Sequence, residues 1–191
     1  MIHQIKTNQK LVPYLCNEIE DYGIHVEVDE NLTEEKYAVI KVDDFYNGLH
    51  LSAVPKSIDF LAAVDCECDA YLLYLLELKN VKNPKFLIIK DIHEKFQNTI
   101  DDFLTDRFGE IFLNDRYRYK DIKLYLISDA YSLQGKYKNF EQYKAVRDKI
   151  DKRDSLKIDC SLGGKIYKFK NKVVRIQYEF PPNPVIRRIL T

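Results

Sequence analysis

The chain has 191 residues, of which 46% are apolar and 31% charged, the balance of a soluble globular domain with enough length to bury a sizeable core. No apolar run reaches the roughly 18 residues that span a bilayer, and the opening MIHQIKTNQK has no apolar export segment, so a cytoplasmic protein without membrane contact is expected. The net charge of zero hides an asymmetry: residues 1–81 hold 6 Lys/Arg against 15 Asp/Glu, a net of −9, while residues 136–191 hold 15 against 6, a net of +9.

The first periodic segment predicts a helix over residues 9–22, with Leu11, Leu15, Ile19 and Tyr22 as its apolar stripe and Gly23 as its stop. Residues 24–28 alternate weakly, and residues 37–42 are rich in β-branched types, as a strand requires. Two strand candidates follow, SIDFLAAV at 57–64 and AYLLYLLELK at 70–79, with the polar DCECD between them as a hairpin loop. The second is apolar on both faces until Glu77, the pattern of a central strand.

A second helix is predicted from Asp91 to about Phe108. Asp91 and Glu94 have capping-box spacing, and Ile92, Phe96, Ile100 and Phe103 recur at helical intervals. Thr99 falls on that apolar side, while Lys95 and Gln97 are read as lying off it. Residues 122–127 then form a short apolar strand that returns parallel to the earlier ones after the crossover helix. Beyond it come a basic helix over 140–152, strands at 156–160, 165–170 and 173–180, and a proline-broken tail. The expectation is therefore a mixed α/β protein, one central sheet with flanking helices. A core at residues 1–135 and a basic αβ extension at 136–191 pack into a single compact domain.

Glu77 and Lys79 close the apolar strand on the same face, because side chains alternate along a strand; Leu78 takes the other face. Charges at the end of a buried strand need partners. If residues 66–70 make the loop, Asp65 faces Tyr71 and Asp59 faces Glu77, with Cβ atoms about 5 Å apart. Two carboxylates so placed repel unless a cation joins them, and Mg²⁺ suits such a pair because it prefers oxygen ligands. Such an ion activates water and stabilises charge on a phosphate; Lys79 is then suited to contact the phosphate or the attacking water. Glu18, about two helical turns from Leu11, is a further candidate to face the site; Glu20 falls on the opposite side.

Pro55 to Asp59, followed by Glu77-Leu78-Lys79, resembles the motif of the PD-(D/E)xK, or restriction-endonuclease-like, nuclease superfamily. The resemblance covers roughly residues 9–128 and implies an αβββαβ core with Asp59 and Glu77 as metal ligands and Lys79 as the catalytic lysine. It departs from the pattern in one respect: the proline stands four residues before the aspartate.

Other chemistries have less behind them. Cys66 and Cys68 are spaced as CxC without a second Cys/His pair, and with only four cysteines reduced thiols are expected. The four histidines are scattered, with no HExxH, nucleophile elbow, Walker loop or GxGxxG. His93, in the first turn of the second helix, is read as exposed. Near the C-terminus cations interleave with aromatics, and Lys168, Lys170, Lys172 and Arg175 are the candidate nucleic-acid contacts.

The reading is a Mg²⁺-dependent endonuclease, with Mn²⁺ able to substitute and DNA as the expected substrate. A homodimer fits the cutting of both strands. The alternative is a catalytically inactive module of the same fold that binds nucleic acid or a protein partner.

Overall fold

The structure is a computed structural model and describes residues 1–81, 83–129, 140–150, 156–181 and 183–189. Its spine is the apolar run after the DCECD loop, which forms β6 (Ala70–Leu78), buried along its whole length. A strand with no polar face must be covered on both sides and paired on both edges. β5 (Phe60–Asp65) pairs with it antiparallel and β7 (Arg118–Ile127) pairs parallel. β4 (Tyr37–Lys41) and the short β1 (Leu15–Cys16) extend the sheet beyond β5, and β10 (Ile176–Glu179) joins parallel to β7. The result is a mixed α/β architecture on one six-stranded sheet, in the order β1-β4-β5-β6-β7-β10. The parallel β6–β7 pair needs a long crossover. It is supplied by α3 (Ile89–Asn98), prolonged through wider π turns over Thr99–Arg107.

The two faces of the sheet carry separate cores. Leu61, Ala63, Tyr71, Leu73 and Leu75 pack under α1 (Ile2–Thr7), α2 (Val42–Gly48) and α3. Phe60, Ala62, Val64, Leu72, Tyr74 and Leu76 pack beneath the hairpin of β2 (Ile19–Asp21) and β3 (Ile24–Val26) and the tail residue Ile186. Odd numbers in β5 and β6 therefore face the helices. Asp59, Glu77 and Lys79 are odd.

The hairpin register matches the reading from sequence. Asp65 pairs with Tyr71, and Phe60 with Leu76, which one residue further sets Asp59 opposite Glu77. The tip is tight: Cys66 N–H donates to Ala70 O at 2.8 Å, and Glu67, Cys68 and Asp69 all have positive φ.

Four expected elements differ. Residues 9–22 are not a helix: Pro13 sits in a single 3-10 turn, Val12–Tyr14, and the chain then enters β1 and β2. Gly23 stops no helix; with Tyr22 it forms the two-residue β2–β3 turn, both at positive φ, where glycine removes a Cβ clash. The strand expected at 156–160 is a helix, Leu156–Gly163, and Ile158 and Leu162, four apart, enter the helix-side core. The crossover helix begins at Ile89 with Ile88 as its N-cap, so Asp91 lies inside the first turn and caps nothing. Residues 151–152 of the basic helix lie outside the described residues; Phe140–Ile150 is helical. Residues 173–180 divide into β9 (Lys172–Val174) and β10, with β8 (Tyr167–Phe169) before them.

Candidate active site

The end of β6 is held so that its last charged residues cannot drift. Lys79 N–H donates to Ile127 O at 2.9 Å, which carries the β6–β7 pairing past Leu78. On the neighbouring strand, Val42 N–H donates to Asp59 O at 2.9 Å, and the buried Ile58 N–H donates to Thr99 Oγ1 at 3.2 Å. Asn98 Nδ2 also donates to Lys56 O at 3.1 Å, so the segment before β5 is fastened to the crossover helix as well as to β6.

These restraints bring Asp59 and Glu77 together in the interior, both essentially buried. Asp59 Oδ2 accepts a 2.7 Å hydrogen bond from Leu78 N–H, while its Oδ1 lies 3.4 Å from Lys95 Nζ. Glu77 Oε1 lies 2.7 Å from Lys95 Nζ and 2.9 Å from Lys79 Nζ. Lys95 Nζ donates to Asp59 Oδ1, whereas towards Glu77 the ammoniums are at ion-pair distance without hydrogen-bond alignment, and Glu77 Oε2 is buried with no partner. Charge is thus balanced, two carboxylates against two ammoniums, while the lone pairs of Glu77 remain unsatisfied. Unsatisfied buried acceptors of this kind are uncommon in folded proteins.

Burial, then the charge of Asp59, pushes the Glu77 carboxyl up to about 7 despite the lysines. Asp59 is also raised, by burial first, with Lys95, the Leu78 amide and Lys79 opposing. Burial pulls the Lys95 ammonium down, but Glu77 and Asp59 more than reverse this, so it stays charged. A third acid feels the cluster: Asp43, in the first turn of α2, is pushed up to about 6 by burial and then by the charges of Asp59 and Asp44.

Glu18 does not join them. It is exposed, in the link between β1 and β2, because the helix that was to aim it inward does not form. Among the described residues no three His, Cys, Asp or Glu side chains converge as a metal-binding group. The two carboxylates present still suit a hard cation in kind: both are oxygen donors, Glu77 Oε2 has no partner, and Asp59 Oδ1 is held only at 3.4 Å. The ammonium of Lys95 competes for the same oxygens.

Lys95 was the residue hardest to see from sequence. It is three residues after Ile92 and four before Thr99, so it lies at the edge of the apolar stripe and not off it; its side chain is 19% exposed. The cue was a lysine at helical spacing among residues that must be buried. Asp43 left no comparable cue, since α2 itself was not anticipated.

The cluster adjoins a pocket of about 300 Å³ whose lining includes Lys56, Glu77, Lys79, Lys95, Phe86 and Ile88. A larger cleft of about 580 Å³, near Tyr14, Phe45 and Arg107, contains no buried carboxylate pair, so the smaller pocket is the better candidate for chemistry.

The predicted nucleic-acid contacts fall elsewhere. Lys170 Nζ donates to Asn114 O at 2.9 Å and Tyr117 O at 3.2 Å, and Lys172 Nζ donates to Lys120 O at 2.8 Å. These bonds anchor the β8–β9 hairpin at the start of β7, beside Tyr71, roughly 20 Å along the strand from Glu77 at about 3.3 Å per residue. Lys168 and Arg175 are exposed. His93 is not simply exposed: its Nδ1 is 2.6 Å from Tyr167 Oη, which ties α3 to that hairpin.

Comparison with known proteins adds no relationship: the chain matches no family model, no curated protein and no solved structure. Among the described residues no helix is long and apolar enough to cross a membrane.

Proposed function

We propose that this chain is a divalent-metal-dependent nuclease of the PD-(D/E)xK type, acting in the cytoplasm on phosphodiester bonds, with DNA as the expected substrate. The observation that carries the reading is the buried Asp59–Glu77 pair, neutralised by Lys79 and Lys95, with Glu77 and both lysines lining a pocket. The three antiparallel strands β4–β5–β6, crossover α3 and parallel β7 are compatible with the βββαβ part of such a core, although the helix expected before it at residues 9–22 does not form.

Asp59 and Glu77 would hold Mg²⁺ or Mn²⁺, which supplies charge neutralisation and an activated water when bound. The chain's own part follows from exposure. Lys79, 33% exposed, reaches the pocket and can meet a phosphate oxygen; the more deeply set Lys95 favours the ionised carboxylates and holds them in place. Because the four charges sum to zero, a divalent cation alone is weakly favoured. A phosphodiester arriving with it offsets half of the added charge, so metal and nucleic acid should bind cooperatively. A pair of chains acting on the two strands of a duplex is compatible with this.

A second reading has its own support. Lys95 already supplies a cation to both carboxylates, which an inactive nucleic-acid- or protein-binding module would retain for stability alone. Cleavage of single-stranded and duplex DNA and RNA, with Mg²⁺, Mn²⁺ or EDTA, separates the two. Metal-dependent cutting that Asp59→Asn abolishes while the protein stays folded supports the nuclease. No cutting on any substrate by folded wild type supports the module.

A further inference from the structure

Between β6 and α3 the chain passes the mouth of the carboxylate–lysine cluster. Leu87 there is buried, whereas Phe86 and Ile88 on either side of it are 69% and 62% exposed. The two side chains share a direction, away from the core. The backbone beneath them is held independently of any packing of the ring: Phe86 N–H donates to Asn83 O at 3.0 Å, and Lys85 N–H to Asn83 Oδ1 at 2.9 Å. One pocket of about 300 Å³ is therefore lined both by the exposed Phe86 and by Lys79. That is the small end of the range for ligand sites, about 300–1,000 Å³, and of a size for a single ring-bearing unit.

The ligand that matches both residues has a flat apolar face and an anionic group a short distance from it. A nucleotide unit within a chain has both. In a duplex each base is covered above and below by its neighbours and cannot offer a face to Phe86; in a single strand it can. We propose that Phe86, flanked by Ile88, is a stacking platform for an unpaired nucleobase, and that the nucleic acid taken at this site is single-stranded. The assignment of the phosphate to Lys79 rests on the nuclease reading above; the platform itself is tested without cleavage.

The chain contains no tryptophan, so Phe86→Trp places a sole indole at the platform. Binding is followed in EDTA and, separately, with Ca²⁺ in place of Mg²⁺ by anisotropy of labelled oligonucleotides, single-stranded and blunt duplex, each as DNA and as RNA. Phe86→Ala is expected to weaken single-strand binding roughly 10-fold and leave duplex binding unchanged. Phe86→Trp is expected to retain binding, with its fluorescence quenched by the single strand and not by the duplex. The DNA and RNA arms say which strand is taken.

Equal effects on single strand and duplex, absence of quenching, or no single-strand binding by wild type would overturn the proposal. So would self-association that Phe86→Ala abolishes while nucleic-acid binding is unchanged, which would assign this surface to a second copy of the chain. The two readings fail separately: an intact platform in a chain that cuts nothing rejects only the nuclease, and metal-dependent cutting without quenching rejects only the platform.

Discussion

The Lys95 ammonium stands 2.7 Å from Glu77 Oε1, a carboxylate with no exposure to solvent. Two charges this deep are stable only together, because each leaves water for the other. A metal ion on Glu77 and Asp59 must compete with that ammonium. Replacing Lys95 by Met should therefore have opposite effects with and without metal. Without it, two buried carboxylates lose their deepest cation, at a cost of about 3 kcal/mol, or a melting temperature roughly 6–12 °C lower for a chain of this size. With millimolar Mn²⁺ much of this loss should return, while wild type gains little. Thermal unfolding of both proteins with and without Mn²⁺ makes the comparison; a Lys95→Met protein indifferent to metal counts against the metal site.

Lys79 shares Glu77 with Lys95 but is the more exposed of the two, 33% against 19%. The two lysines should separate by assay. Lys79→Ala removes a group at the pocket edge, so its melting temperature should move by no more than about 2–4 °C. If its ammonium meets charge that develops on the phosphate, cleavage should fall by about 100-fold or more. Single-turnover cleavage beside a melting curve reads both. A large stability loss with cleavage intact would reverse the roles given to the two lysines.

The pairing of Asp59 with Glu77 is legible in the sequence because a strand's period of two leaves few choices. Ala70 to Leu76 is too apolar to be anything but central, and DCECD is too short and polar to be more than a tip. Asp65 and Tyr71 then close the ladder, and counting back reaches Asp59. The N-terminal region misleads for a physical reason. Leu11, Leu15 and Ile19 have helical spacing, yet Pro13 lacks an amide hydrogen to continue a helix, and Leu15 instead pairs with Ile40 in the sheet. Glu18 went with that helix. Local spacing also does not show what the basic residues touch: Lys170 and Lys172 look free in sequence, but their long stems reach carbonyls of the loop before β7 and of β7 itself.

The hydroxyl of Thr99 accepts Ile58 N–H at 3.2 Å and donates to Lys95 O at 2.9 Å, so one buried side chain sets the distance between the strand that carries Asp59 and the helix that carries Lys95. Thr99→Val keeps the shape and leaves the Ile58 amide unsatisfied. The expected loss is about 1–3 kcal/mol in denaturant unfolding, accompanied by slower cleavage because Asp59 loses its alignment. Thr99→Ser, which retains the hydroxyl, should recover most of both. If Thr99→Ser is as impaired as Thr99→Val, the methyl group and not the hydrogen bond is what matters.

The raised carboxyls give the metal-free protein a pH dependence of definite sign. Glu77 moves from 4.5 to about 7 and Asp43 from 3.8 to about 6, both chiefly through burial. Between the unfolded and folded values the native state holds protons that the unfolded chain has released. Stability therefore falls as pH rises through this window, from about 4 to about 7, and levels off above it as far as these groups are concerned. Glu77→Gln carries no titrating group there, so the upper part of the fall should flatten in that variant, while the part due to Asp43 remains. Metal works against the pattern: a cation held by the ionised carboxylates displaces their protons, so the small gain that Mn²⁺ gives wild type should be larger at pH 8 than at pH 5, with proton release measurable in buffers of different ionisation heat. Urea midpoints at those two pH values, with and without Mn²⁺, for wild type and Glu77→Gln, test both signs. If wild type and Glu77→Gln change equally between pH 5 and pH 8 without metal, Glu77 is ionised throughout that range, with Lys95 and Lys79 outweighing its burial.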